Sequence, residues 1–259
     1  MSSDHYIEDC NLSAAWGRAL LAASAKGLSE TGPLIVSVTG FDKAGLFQED
    51  VGVRTALDDV LQLAKKQSVE TVANTIFPAS MWNPAASRSQ LFDRYRRIAE
   101  RLREASRKNQ RGIYFDRMIS GGPPGKENQL EFALSTYNAK PGMRRSILQI
   151  GVFNPGLDHS GAAQLGFPCL QHVTFAPIAG GLCVNAFYAT QYMLERAYGN
   201  YVGICRLGHF VAHELGLRLT RMTCFTGVAK CEVRKSELAQ LIVAIKSTLG
   251  QEGRSGPKP

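Results

Sequence analysis

The sequence lacks any pair of cysteines at the spacing of a metal or redox motif. Six cysteines are scattered over 259 residues, at positions 10, 169, 183, 205, 224 and 231, and none forms a C-x-x-C pair. This scatter excludes a zinc ribbon and gives no sign of a disulfide framework. Reduced thiols in a reducing compartment are therefore expected.

Long apolar runs and a basic leader segment are also missing. No stretch approaches the roughly 18 consecutive apolar residues that a membrane-spanning helix needs. The first segment carries Asp4, Glu8 and Asp9 where a secretory signal has Lys or Arg. We therefore expect a cytoplasmic protein with no membrane-embedded part.

Positive charge, by contrast, is plentiful, with a formal net charge of +8 at pH 7. Much of it falls in RYRRIAERLREASRKNQR, residues 94–111, where Tyr95, Ile98, Leu102 and Ala105 form an apolar stripe at helical spacing. The basic side chains then lie on the solvated face of a helix. A surface for a polyanion is the alternative, but no nucleic-acid motif accompanies the segment, so nucleic acid is not the expected partner.

Hydrophobic patterning predicts an α+β chain. Helices are predicted for LSAAWGRALLAASAK, VRTALDDVLQLAKKQ, the basic segment, NQLEFALSTY and GNYVGICRLGHFVAHELGL. Strands are predicted for PLIVSVTGF, MRRSILQIGVFNP, CLQHVTFAPIAGGLCVNAFYATQYM and TRMTCFTGVAKCEV, the third being a hairpin around its Gly-Gly pair. We expect a single domain over residues 1–249, with a mixed or antiparallel sheet packed with helices, and a disordered tail over residues 250–259.

Two motifs suggest sites that the rest of the sequence does not support. His209 and His213 could share a helix face, but HFVAHE does not match the zincin motif H-E-x-x-H, and no third ligand stands out. A packing role is expected for both histidines, and no metal site is predicted. GGPPGK lacks the spacing of a phosphate-binding P-loop, so we interpret it as a turn.

Pro168 and Cys169 stand side by side at the start of the apolar run CLQHVTF. The proline fixes the backbone where the predicted strand begins, which could hold the thiol as a nucleophile. A buried structural cysteine is the common alternative. Arg144 and Arg145 start another predicted strand, where they could bind phosphate or simply meet solvent.

The order of these motifs resembles the folate-dependent thymidylate synthase and pyrimidine hydroxymethylase family. MRRSILQIGVFNP is similar to the family's Arg-Arg strand, FPCLQHVTF to its Pro-Cys-His, and NAFYATQYMLERAYGNYVGICRLGHFVAHELGL to its Y-x-R-S-x-D strand and the helix that an Asn opens. RGIYFDRM and GKENQLEFALSTY are similar to its I-W-D-E-W segment and G-x-x-x-D-Q helix. The resemblance spans residues 12–235 and is strongest over residues 112–216, so this chain would be a divergent member with the same fold.

The resemblance implies transfer of a one-carbon unit, methyl or hydroxymethyl, to C5 of a pyrimidine nucleotide or a related substrate. Cys169 would add covalently to C6 and so make C5 nucleophilic. The implied substrate-binding residues are Arg144, Arg145, Asn200, Gln191 and Tyr188, and the implied residues for the cofactor 5,10-methylenetetrahydrofolate are Tyr114 and Asp116. In the family the arginine pair reaches the phosphate in the other subunit, so a homodimer is implied.

The chain also departs from the family pattern. Leu170 stands where the family has histidine, Thr190 where the strand arginine binds phosphate, and Met193 where an aspartate follows. The cations that could replace the lost arginine are Lys230, Arg196 and Arg206.

These departures keep a second function open, a catalytically degenerate dimer that binds a nucleotide as a sensor or sequestering module. A third possibility is a cysteine hydrolase that pairs Cys169 with His172. Residues three apart on a strand point to opposite faces, which disfavours this pair.

Overall fold

In a computed structural model of the chain, the described residues are 5–24, 30–106, 109–110, 112–139, 142–159, 161, 168–232 and 238–252. The strands are β1 (Tyr6–Asp9), β2 (Glu30–Thr31), β3 (Leu34–Val38), β4 (Gln149–Gly151), β5 (Leu170–Ile178), β6 (Gly181–Tyr192) and β7 (Arg218–Lys230). The helices are α1 (Leu12–Ala23), α2 (Val51–Leu63), α3 (Val69–Ile76), α4 (Arg88–Glu104), α5 (Tyr114–Ser120), α6 (Gln129–Ala139), α7 (Pro155–Asp158), α8 (Tyr198–Glu214) and α9 (Ala239–Glu252). Short 3₁₀ turns span Ala79–Met81 and Arg145–Ile147, and a π-helical turn spans Met193–Ala197.

The strands form one mixed sheet in the order β1-β3-β7-β6-β5-β4, with β2 also paired to β7. β1 runs parallel to β3 and β6 parallel to β7, whereas β3–β7, β5–β6 and β4–β5 are antiparallel. The predicted mixed sheet packed with helices is therefore confirmed. No helix within the described residues is both long and apolar enough to cross a membrane.

The hairpin between β5 and β6 follows from its turn residues. Ala179 and Gly180 have φ angles of 51° and 77°, the positive values that a two-residue type I′ turn needs at both central positions. The turn therefore uses Ala179 and Gly180, while the second glycine of the predicted pair, Gly181, already belongs to β6.

The two faces of the sheet differ. On the covered face, Val184, Tyr188 and Met222 are fully buried, and α8 packs against β6 and β7. On the other side, which we call the open face, most side chains are half-buried or exposed, and Phe187 stacks on Phe225 with ring centroids 5.1 Å apart. The open face comprises Tyr6, Glu8, Arg221, Thr223, Phe225, Asn185, Phe187, His172 and Thr174.

Helix α8 lies close to α3 because two of its residues have no side chain. A Cβ on Gly199 would meet Val72 Cβ at 2.6 Å, and one on Gly203 would meet the Ala73 carbonyl oxygen at 2.8 Å. These glycines let the two helix backbones approach, so α8 is buried along most of its length beneath the sheet.

The basic helix α4 forms as predicted, but not all of its arginines face solvent. Arg88 pairs with Glu131 at 2.7 Å and with Glu214 at 2.9 Å, so it links α4 to α6 and α8. Part of the positive charge of this segment is therefore balanced within the fold.

The structure corrects the sequence prediction at two places, and a third predicted segment is not described by the structure. Arg144 and Arg145 do not begin a strand: Arg144 caps the 3₁₀ turn, Arg145 is inside it, and β4 starts only at Gln149. Helix α9 was not predicted, and it continues to Glu252, into the segment expected to be a tail. Residues 253–259 lie outside the described residues.

Candidate functional site

Cys169 lies directly before β5, where the backbone is held against the neighbouring strand. Its carbonyl oxygen accepts a hydrogen bond of 3.1 Å from the Ala189 N–H of β6. The thiol is free and half-buried. The strand start therefore presents a single sulfur in a fixed backbone setting, as the sequence predicted.

The structure brings Tyr114, the first residue of α5, to this thiol. The phenol lies near the backbone of Leu170 and Cys169, and Cys169 is also among the groups that affect its pKa. Burial, the largest effect, raises the pKa of Tyr114 to about 12. The phenol is therefore a neutral group beside the sulfur at physiological pH.

Two opposing effects set the charge on Cys169. Burial is the larger and raises the pKa of the thiol, because the thiolate loses hydration. The positive charge of Arg196 lowers it in part. The net shift is upward, so the resting group is a thiol at neutral pH.

Arg196 reaches this place from the π-helical turn that opens α8. The carboxylate of Glu232 accepts hydrogen bonds from the N–H groups of Leu194 (3.2 Å) and Glu195 (3.0 Å), which satisfies donors that the irregular turn leaves free. Lys66 pairs with Glu195 at 2.6 Å. π-helical turns are rare and are frequently found at functional sites.

Tyr188 of β6 extends the group of phenols next to Cys169. It is fully buried, and its Oη has no hydrogen-bond partner among the described residues. Burial is the main cause that raises its pKa well above the ordinary value, and the titrations of Tyr114, Cys169 and Tyr201 add to this shift. A hydroxyl enclosed without a partner costs about 1–3 kcal/mol, which a water or ligand polar atom would recover.

Gln191 and Asn200 are the other two predicted substrate-binding residues with buried polar atoms. The Gln191 Oε1 accepts from Thr226 Oγ1 at 2.9 Å and from Tyr201 Oη at 3.4 Å, but its Nε2 has no partner within the described part of the chain. The Asn200 Oδ1 is likewise enclosed without a partner there. Both residues are 2–3% exposed, so water from bulk does not satisfy these atoms.

Arg144 and Arg145 do not lie at the thiol of their own chain. Both are exposed, and Arg145 Nη1 donates to the Pro177 carbonyl oxygen at 3.0 Å, near the last residue of β5. Cys169 lies before the first residue of this strand, and at about 3.3 Å per residue the two ends are roughly 25 Å apart. Arg145 is therefore too far away to act at the thiol of its own chain.

Asp116, the second predicted cofactor residue, faces away from the thiol. Its carboxylate is 3% exposed and pairs with both Nε and Nη2 of Arg103 on α4, at 2.8 Å each. This bidentate ion pair gives Asp116 a structural role in joining α5 to α4.

The histidines of α8 pack as expected. The indole of Trp82 lies edge-on to His209 and His213, with ring centroids 5.4 and 5.5 Å away. Within the described ranges, no group of three His, Cys, Asp or Glu side chains could hold a metal ion. GGPPGK is a turn, closed by hydrogen bonds from Gly122 to Glu127 and from Lys126 to Pro123.

His172 does not form a dyad with Cys169. It pairs in register with Phe187 across a β-bulge, on the open face of the sheet, whereas the thiol adjoins residues of the covered side. Burial lowers the pKa of His172, so it is neutral at physiological pH.

Comparison with known proteins supplies no relative: no protein-family model matches this chain, and no curated protein sequence matches it.

Proposed function

We propose that this chain is a transferase that moves a one-carbon unit to C5 of a pyrimidine nucleotide or a related substrate, through a covalent adduct at Cys169. The observation that supports it most is the half-buried thiol at the start of β5, with the Tyr114 phenol near its backbone and Arg196 within electrostatic reach. The resemblance of motif order to the thymidylate synthase and pyrimidine hydroxymethylase family supplies the reaction class.

In the proposed reaction the Cys169 thiolate adds to C6 of the pyrimidine and forms the S–C6 bond. The electron pair of the C5–C6 double bond moves to C5, where the C4 carbonyl stabilises it as an enolate. After C5 has gained its substituent and lost its proton, the S–C6 bond breaks and the double bond returns. The thiolate leaves unchanged, so the cysteine is a true catalyst.

The buried polar atoms of the covered side suit the edge of a pyrimidine. The free Nε2 of Gln191 can donate to a ring carbonyl, the Oδ1 of Asn200 can accept from a ring N–H, and Tyr188 Oη can do either. A site built to make such bonds rejects analogues that leave its groups unpaired.

The cofactor 5,10-methylenetetrahydrofolate supplies, when bound, the one-carbon unit that C5 receives. Tyr114 fits a role beside it, since its ring lies near the thiol and is only partly buried. Asp116 does not fit, because Arg103 occupies its carboxylate. Tyr114 alone is therefore kept as a candidate for holding the cofactor.

The proposed enzyme is a homodimer that packs open face to open face. The open face carries aromatic and polar side chains together with a few charged ones. Its centre is the Phe187–Phe225 stack, in which Phe187 is 42% exposed. A two-fold axis running across the strands lays the Arg145 end of one β5 over the Cys169 end of the other. Two exposed arginines would thus approach the partner's site, where they can bind the phosphate of a nucleotide.

Intact-mass measurement tests the covalent step. The protein is incubated with 5-fluoro-2′-deoxyuridylate and 5,10-methylenetetrahydrofolate. Because the fluorine at C5 cannot leave as a proton, we expect a mass increase of one nucleotide plus one methylenetetrahydrofolate per reactive chain. Cys169→Ser should abolish the adduct, and Cys183→Ser, which alters a half-buried thiol on the sheet, should retain it. Absence of an adduct with every pyrimidine nucleotide tried would end the proposal.

Mixing two inactive variants tests the shared site. Arg145→Gln and Cys169→Ser homodimers should each form little adduct. After subunit exchange at equal amounts, half of the dimers are mixed, and each has one intact site, so about a quarter of the wild-type adduct should return. If the mixture stays inactive although exchange is shown by labelling, Arg145 does not act across the interface.

One observation favours the alternative, a degenerate dimer that binds a nucleotide without turnover. Burial raises the pKa of Cys169, which leaves the sulfur protonated and weakly nucleophilic at neutral pH. A thermal-shift panel of nucleotides separates the two functions, because a ligand at 100 times its Kd stabilises the protein by about 2.7 kcal/mol. Stabilisation by a nucleotide with neither adduct nor turnover supports the alternative, and turnover excludes it.

A further inference from the structure

Gln171 is the second residue of β5, and it has no partner in the register with β6. Its two neighbours in the chain pair with consecutive residues of β6, Tyr188 and Phe187, so two steps along β5 correspond to one step along β6. Gln171 is therefore the extra residue of a β-bulge. Bulges redirect side chains, and they are over-represented next to active sites.

The bulge decides on which face of the sheet the start of β5 lies. His172 lies on the open face, and strict alternation would place Leu170 there as well. Instead, Leu170 is fully buried on the covered face, opposite Tyr188. The irregularity at Gln171 thus reverses the alternation at the strand start, directly after Cys169.

Gln171 anchors this part of the backbone through its side chain and through its main chain. Its Nε2 donates to the Pro168 carbonyl oxygen at 2.6 Å. Its main-chain carbonyl oxygen accepts from the N–H groups of Val152 at 2.9 Å and Phe153 at 3.1 Å, just beyond the last paired residue of β4. The bulge residue is therefore attached to the segment after β4, while its side chain reaches back past Cys169.

Two hydrogen bonds constrain the peptide planes on both sides of Cys169. The plane before it contains the Pro168 carbonyl, which accepts from the Gln171 amide, and the plane after it contains the Cys169 carbonyl, which accepts from the Ala189 N–H. Because each peptide unit is planar, φ and ψ of Cys169 are the only soft dihedrals between the two planes. The two bonds together therefore set the direction in which the side chain of Cys169 leaves the backbone.

We propose that Gln171 is a positioning residue, whose side-chain amide constrains the backbone of Cys169 and so orients the thiol for attack on a bound substrate. The inference rests on the proposed function for the attack itself, whereas the constraint on the thiol is a property of this backbone. The Ala189 bond is made by main-chain atoms alone, so the amide of Gln171 is the part of the constraint that a side-chain substitution can remove.

A Cys169 without this constraint should react differently with a small reagent and with a bound substrate. The thiol is half-buried, and burial raises its pKa. Once the amide bond is lost, we expect conformers in which the sulfur is more hydrated, which ionise more readily and react faster with a small reagent. Attack on a bound substrate requires one fixed geometry, so it should become slower.

Alkylation by iodoacetamide tests the constraint without any nucleotide. Rate constants are measured on the full-length chain as a function of pH, and Cys169 is followed by mass spectrometry after chymotryptic cleavage at Phe175, which separates it from Cys183. Gln171→Met keeps the length of the side chain but removes the donor. Its rate constant at neutral pH should rise about fivefold, or about 1 kcal/mol, the net contribution of one hydrogen bond. Its pH profile should move to lower pH.

Gln149→Met is the matched control at the start of β4. The Gln149 Nε2 donates to the Ser146 carbonyl oxygen at 2.7 Å, a bond of the same type that also reaches three residues back along the chain. Removing this bond should leave the rate constant and the pH profile of Cys169 at the wild-type values. An equal change in Gln149→Met would show a general loosening of the sheet and overturn the proposal.

Two further substitutions separate the hydrogen bond from the size of the side chain. Gln171→Lys retains a donor and should restore most of the wild-type pH profile, which a role in packing alone would not produce. Gln171→Glu has the size of glutamine without its donor and should behave as Gln171→Met does, so the result does not depend on the folding of one variant. Wild-type alkylation in folded Gln171→Met or Gln171→Glu overturns the proposal.

Adduct formation with 5-fluoro-2′-deoxyuridylate separates this inference from the proposed function. In Gln171→Met the adduct should form about fivefold more slowly although iodoacetamide reacts faster. If both reactions become faster, Gln171 shields the thiol without orienting it, and the positioning role fails. If the wild type forms no adduct but the alkylation results are as expected, Gln171 remains assigned as the residue that constrains Cys169, and the proposed function alone fails.

Discussion

The covered and open faces of the sheet are made by alternate residues of the same strands, yet they differ in how their polar groups are matched. On the open face, Arg221 pairs with Glu8 at 2.6 Å in contact with solvent, and an imperfect match there costs little. On the covered side, Tyr188, Gln191 and Asn200 each leave an atom unpaired among the described residues. Half of the six buried side-chain atoms left unpaired among the described residues thus belong to predicted substrate-binding residues, where a ligand would satisfy them.

The largest expected effect comes from packing on the covered side. Gly203→Ala places a Cβ 2.8 Å from the Ala73 carbonyl oxygen and should lower the free energy of unfolding by about 2–3 kcal/mol. Thr223→Ala on the open face should change it by less than about 0.5 kcal/mol. Urea denaturation of both variants measures the contrast, and equal losses would contradict the assignment of the two faces.

Two tyrosines of the covered side sharpen the comparison. Tyr198 Oη bonds to Ser13 Oγ at 2.7 Å and to Glu49 at 2.9 Å, so Tyr198→Phe should cost about 2 kcal/mol of unfolding free energy. Tyr188→Phe removes an unpartnered hydroxyl and should leave stability unchanged or raise it by less than about 1 kcal/mol. A large loss in Tyr188→Phe would reveal a bound water or another partner for this hydroxyl.

A charge placed on the open face tests its role as an interface. Phe187→Glu should weaken the proposed dimer at least tenfold, about 1.4 kcal/mol, because a carboxylate would be desolvated against the second copy. Val243→Glu, at a position 68% exposed on α9, is the matched control and should leave the dimer intact. Sedimentation velocity over a concentration series gives both dissociation constants, and a monomeric wild type would refute this interface.

A further effect on the covered side concerns its buried titrating groups and appears only at high pH. Burial raises the pKa of Cys224 to about 12, above that of an unfolded thiol. The unfolded chain therefore loses this proton first, so stability is complete below about pH 8.5 and falls as pH rises, by at most about 1.4 kcal/mol per pH unit for one group. Urea midpoints at pH 7 and pH 10 should show the decline, and Cys224→Ala should flatten part of it. An identical decline in Cys224→Ala would assign the loss to the other buried thiols, such as Cys205, and to the buried tyrosines.

Most of the elements could be predicted from the sequence because their patterns are local. α8 and the β5–β6 hairpin have clear periods and a turn signal, and both form as expected. α9 was missed because its apolar residues do not lie on one helix face only. Leu241 and Ile245 are buried, but Val243 between them is also apolar and is exposed, which hides the helical period. The 3₁₀ turn at Arg145 was missed because the apolar residues Ile147 and Leu148 fit the pattern of a strand as well as that of a turn.

The candidate site was predictable only in part. The Pro-Cys pair and the family resemblance led to Cys169 and Tyr114, which the structure places together. The sequence could not show that Arg206 is already paired, because its partner Glu70 lies 136 residues away along the chain. Asp116 was assigned to the cofactor although Arg103 holds it, because an ion pair between two helices leaves no pattern in either segment.

Strand β7 lies between β3 and β6. The sheet therefore cannot be completed during synthesis until β7 has been made. Leu34 pairs with Thr226, so the amino-terminal strands β1 and β3 wait for a segment made almost 200 residues later. Until β7 leaves the ribosome, β3 and β6 both expose unpaired edges, which are templates for aggregation. We therefore expect a nascent chain stopped before residue 218 to bind chaperones. A chain that includes β7 can pair this strand with both β3 and β6.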